Sequence, residues 1–67
     1  MPKNLEEQLE DLLVDVTADN LYETMDKAKE LIDKAGDDEL MQMRMMMHAE
    51  KLGMMESALT SLEREGL

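Results

Sequence analysis

Between Leu40 and Leu62 the chain carries more apolar positions than one side of a helix can hold, and this excess limits what it can fold into. Met41, Met45, His48, Leu52, Met55, Leu59 and Leu62 recur at alternating steps of four and three residues, the spacing of a stripe that a partner helix covers. At about 100° per residue, all seven lie within one arc of the helix. Leu40, Met43, Met46, Met47 and Met54 project from the other sides of the same cylinder, where a helix of a small protein is normally polar. The pattern predicts one long helix over about 38–65, with an inner seam and a second apolar face left over.

The preceding residues supply material to cover the seam. Leu5, Leu9, Leu12, Leu13 and Val16 share one face, while Glu6, Glu7, Glu10, Asp11 and Asp15 lie elsewhere. This is a short amphipathic helix over about 4–16, begun by Pro2 or Asn4, with acidic first turns that suit the positive end of its dipole. Thr17 to Asn20 interrupt the stripe, and the apolar phase restarts at Leu21. Asn20 followed by Glu23 has the spacing of a capping box with Asn in place of Ser or Thr. From there Leu21, Met25, Ala28, Ile32 and Ala35 define a second helix over about 20–35.

Gly36 suits a left-handed C-cap and Asp37 or Asp38 the next N-cap, which makes 36–38 a tight turn. A connection this short sets the helices on either side antiparallel. The expected fold is therefore all-α and a single domain over 1–67: a short N-terminal amphipathic helix, then an antiparallel helical hairpin with a long C-terminal helix. At ~1.5 Å per residue the second helix is roughly 24 Å long and the third roughly 40 Å, so the third overhangs. The first helix is the natural element to cover part of that overhang, or to be displaced from it by another protein. Glycine inside a helix costs about 1 kcal/mol relative to alanine, yet the seam keeps phase through Gly53. The third helix is thus expected to be continuous there, with Gly53 open to close approach by another backbone.

The function classes narrow from what is missing. A chain of 67 residues without cysteine and with one histidine has neither disulfides nor a thiolate metal site to brace a small core, which leaves association. Seventeen acidic against seven basic residues give a net charge of −10, which repels nucleic acid and anionic lipid surfaces. No window approaches the ~20 apolar residues of a membrane span, and no apolar run follows a basic start. The sequence reads as cytoplasmic without a classical signal. Continuous helical periodicity argues against disorder, despite the acidic, aromatic-poor composition.

No residue reads as catalytic, cofactor-binding or metal-ligating. The carboxylates lie on solvated helix faces, without cysteines, Gly-rich loops or aromatic pockets to shape a cleft. Asp33 to Glu39 resemble a calcium loop only superficially, because the sixth position is Asp38 rather than Gly and the twelfth is Arg44 rather than Glu. His48 reads as a packed or edge histidine rather than a zinc ligand.

Five of the nine methionines fall within Met41 to Met47. Met41 and Met45 lie on the seam and read as core. Met43, Met46, Met47 and Met54 cannot be buried by the same hairpin, so either the first helix wraps over them or another chain does. Methionine is flexible and polarizable, and suits a surface that must accept another protein's side chains. The expected partner-binding residues are Leu40, Met43, Met46, Met47, Gly53 and Met54, with Leu9, Leu12 and Val16 as movable cover.

The plan of a short amphipathic lead, a helix, a Gly-Asp turn and a longer helix resembles the small co-chaperones of type III secretion needle subunits, the YscE type. The stretches that carry the likeness are Leu21 to Gly36-Asp37 and Lys51 to Ala58, where Met55-Glu56-Ser57-Ala58 is similar to a Leu-Glu-Ser-Ala segment of that family. The methionine run stands where those proteins carry Gln and aromatic residues. The resemblance implies a cytoplasmic, non-enzymatic protein that binds and stabilises a tetratricopeptide-repeat chaperone, the pair keeping the needle subunit soluble and monomeric. Alone, such a chain is expected to be a monomer or a weak homodimer. The second reading is a homo-oligomeric helical bundle or adaptor whose methionine face meets its own copy. The spacing of Gly53, Ala58 and Leu62 also suggests part of a tetratricopeptide repeat, but the chain is too short for a solenoid. Nine methionines argue against an idealised designed bundle.

Overall fold

Two of the three helix starts follow from side chains that accept the free amides of a first turn. The computed structural model describes residues 3–66, and among them the chain forms three α-helices and no strand: α1 (Leu5–Val14), α2 (Leu21–Lys34) and α3 (Glu39–Arg64). Asn4 caps α1 by accepting the Glu7 amide at 2.8 Å. Asp38 caps α3 by accepting the Met41 amide at 3.0 Å. Between α2 and α3, Gly36 takes a φ of 56°, a left-handed conformation that costs a glycine nothing.

Two local expectations need correction. α1 ends at Val14 rather than near Val16, because the Val16 amide turns back to the Leu13 carbonyl at 3.4 Å. Val16 stays half-buried against the core although it has left the helix. Asn20 does not form a capping box, since its side chain makes no cap hydrogen bond to α2. Its carboxamide instead ties the α1–α2 connection together. Oδ1 accepts the Thr17 amide at 2.7 Å and the Thr24 hydroxyl at 3.3 Å, and Nδ2 donates to the Asp15 carbonyl at 3.1 Å. Asn side chains favour such local loops because they can bond backbone groups on both sides.

α3 runs unbroken through Gly53, and at 1.5 Å per residue its 26 residues span about 39 Å. That length sets the 44 Å long axis of the molecule. A Cβ placed on Gly53 would meet nothing within 4 Å. Gly53→Ala is therefore expected to stabilise the chain by about 1 kcal/mol, which raises the thermal midpoint by roughly 4–8 °C in a domain of this size. A midpoint unchanged or lowered in circular dichroism melts would mean that α3 is not a plain helix at this position.

The core takes residues from all three helices: Leu9 and Leu13 of α1, Leu21 and Ala28 of α2, and Met45 and Leu52 of α3. Leu9, Leu21 and Met45 are fully enclosed. α1 lies alongside α3 and runs in the same direction. Glu6 meets Arg44 and His48, Glu10 meets His48, and the Lys51 amine donates to the Leu13 carbonyl at 3.4 Å. On the other side of the seam, the Gln42 side-chain carboxamide donates through Nε2 to the Ile32 carbonyl at 3.4 Å beside the turn out of α2. Among the described residues no helix is long and apolar enough to cross a membrane.

Candidate interaction face

With α1 on one side of its seam and α2 on the other, α3 has one face left. Met45 and Leu52 are buried and Met41, Met55 and Leu59 are half-buried, whereas Leu62, out on the overhang, is exposed. Leu40, Met43, Met46, Met47 and Met54 remain between 57% and 73% exposed. Two shallow depressions run along them. One, of about 620 Å³, is lined by Glu39, Gln42, Met43, Met46, Met47 and Glu50. The other lies between Glu50, Gly53, Met54 and Ser57. A third groove, of about 540 Å³, opens between α2 and α3. It shares Met46 with the first depression and Gly53 with the second, so that all three form one surface.

Fully burying a Met or Leu side chain is worth about 1.5–3 kcal/mol, and each of these five has more than half of that still to gain. A partner covering them recovers on the order of 5 kcal/mol, before the cost of association. Exposed apolar patches on small proteins are commonly contact sites, which makes this face the candidate.

The nine residues expected at a partner surface separate into two groups. Leu40, Met43, Met46, Met47, Gly53 and Met54 lie together on the open side of α3 and are all exposed. Leu9 is completely enclosed, and Leu12 and Val16 are half-buried against the core. α1 thus does not lie over the methionines. Its removal would uncover a different side of α3 and take Leu9 out of the core.

Of the two positions expected for His48, packed or edge, it takes the edge, at the rim of the α1–α3 contact. Its side chain is 39% exposed, and Nε2 lies 3.3 Å from Glu6 and 3.4 Å from Glu10. Glu6, Glu10 and His48 bring possible ligand atoms within 4.8 Å of one another. The charge there is met by the protein's own Arg44, whose guanidinium donates to Glu6 at 3.0 Å. The cluster therefore reads as an ion-pair network that fixes α1 on α3. Two carboxylates one turn apart were the only trace of it in the sequence. Val14 and Tyr22, exposed near the α1–α2 connection, were also not anticipated. Exposed single apolar residues are common on protein surfaces.

The hydrogen bond and charge of Arg44, with a smaller contribution from His48, hold the Glu6 carboxyl below its ordinary range against the opposing effect of burial. A carboxylate whose pKa is lowered by folding contributes stability that is present above the unfolded value and lost as pH falls through the folded one. Acidification below about pH 4 is thus expected to loosen α1, and Glu6→Gln to flatten that part of the stability profile. Thermal melts between about pH 3 and 7 check this. An acid limb equally steep in the Glu6→Gln chain would show that the Glu6 network does not hold α1.

No protein-family model, no curated protein and no solved structure matches the chain.

Proposed function

We propose that this chain is a non-enzymatic interaction module: an antiparallel α2–α3 hairpin braced by α1, offering the methionine side of α3 to another protein. Following the family it resembles, its partner is a tetratricopeptide-repeat chaperone. The pair keeps an export-bound needle subunit soluble and monomeric in the cytoplasm. The mechanism is steric, because covering the apolar face of a subunit that would otherwise polymerise removes the route to premature assembly. The observation that carries the reading is the exposure of Leu40, Met43, Met46, Met47 and Met54 on a helix whose seam residues Met45 and Leu52 are buried.

Co-expression with the products of the neighbouring genes, a tetratricopeptide-repeat chaperone being the partner expected among them, tests the proposal. A stable complex that survives size exclusion is the expected result, and separate elution of the two proteins would overturn this choice of partner. The second reading, self-association through the methionine face, is favoured by the apolarity of that face alone. It requires a stable dimer or larger species at low micromolar concentration.

A further inference from the structure

We infer that the segment this face accepts is an amphipathic helix with basic flanks. The inference rests on the interaction-module reading and adds the shape and charge of the partner. Shape comes from the layout of the surface. Its depressions follow α3 from Glu39 to Ser57, about 27 Å at helical rise, as a strip rather than a pit. A strip of apolar side chains along a helix is the complement of another helix laid beside it, which anchors residues at spacings of three and four. Gly53, with open space where its Cβ would be, allows that helix to come close.

Charge comes from where the bundle sends its ions. Glu39 and Glu50 line the groove around Met43, Met46 and Met47, and that lining includes no cation. The basic residues of the same stretch are drawn to the other side of α3, Arg44 to Glu6 and Lys51 to the Leu13 carbonyl. Across the α2–α3 groove Lys29 is accompanied by Asp33. The strip is thus apolar with two carboxylates set among its methionines, Glu39 at one end and Glu50 between Met47 and Met54, on a chain of net charge −10. A second copy would bring two such sets of carboxylates and two such net charges together. A helix with Lys or Arg beside its apolar stripe meets Glu39 and Glu50 with opposite charge and is steered toward the surface.

The test uses the whole chain labelled at its methionine ε-methyls with carbon-13, titrated with two synthetic 18-residue amphipathic helices. Both carry Leu at spacings of three and four, one flanked by Lys and the other by Glu. The Lys peptide is expected to move the methyls of Met43, Met46, Met47 and Met54 and to leave Met45 in place, while the Glu peptide moves none. Glu39→Lys combined with Glu50→Lys is expected to weaken the Lys peptide about tenfold. Both positions are exposed, and circular dichroism checks that this double variant keeps its helix content. Equal binding of the two peptides at the methionines would overturn the basic-helix inference and leave the interaction-module reading standing. Lys-peptide binding that ignores the double substitution, or that moves other methyls, would also overturn it, as general attraction to an acidic chain. If neither peptide moves a methyl the inference falls, and co-purification with the chaperone decides the broader reading separately.

Discussion

Leu9→Ala is expected to move the unfolding of the isolated chain to a much lower urea concentration. Leu9 has no exposed surface and belongs to the cluster that joins all three helices. Truncating such a leucine costs about 2–5 kcal/mol, through lost burial and the cavity left behind. At roughly 0.05–0.15 kcal/mol per residue, a chain this short has only about 3–10 kcal/mol to lose. The substitution removes a large share of that, and α1, about ten residues long and marginal by itself, should lose its helix with it. Urea titration followed by circular dichroism reads the effect. A cost below about 1 kcal/mol would mean that α1 is not part of the core.

Met47→Glu is expected to do the reverse, abolishing partner binding while the fold stays intact. The side chain is 64% exposed, and a surface substitution away from caps and core normally changes stability by less than about 0.5 kcal/mol. In a complex the same carboxylate is driven into an apolar contact without a partner, beside Glu50, which already lines that groove. An unpaired charge in an interface costs several kcal/mol, so affinity should fall by about a hundredfold or more. Retained binding would remove Met47 from the contact surface. Loss of helix content would show it to be core, contrary to its position on the open side of α3.

How much of this was legible in the sequence depends on the range of the interaction. The two faces of α3 were legible because they repeat at helical spacing, and the structure buries Met45 and Leu52 and exposes Met43, Met46, Met47 and Met54. The turn at Gly36 and the cap at Asp38 were legible because they act within four residues. Asn20 was misread, since the same side chain can cap a helix or tie a loop, and Thr17 and Asp15 decide between the two. The position of α1 was beyond sequence pattern. It shows only in contacts such as those of Glu6 with Arg44 and His48, 38 and 42 residues away, and periodicity records no pairing at that distance. For the same reason Leu9, read as movable cover, proved to be enclosed.

The expectation that the methionine face stands open for a different protein is tested most directly on the isolated chain. At low micromolar concentration, with the mass fixed by light scattering, a soluble gadolinium chelate broadens carbon-13 methionine methyls according to their contact with solvent. The expected result is a monomer in which Met43, Met46, Met47 and Met54 broaden strongly while Met45 is protected. Protection of all five in a particle of twice the mass would contradict it, because the face would then already be occupied by a second copy of the chain.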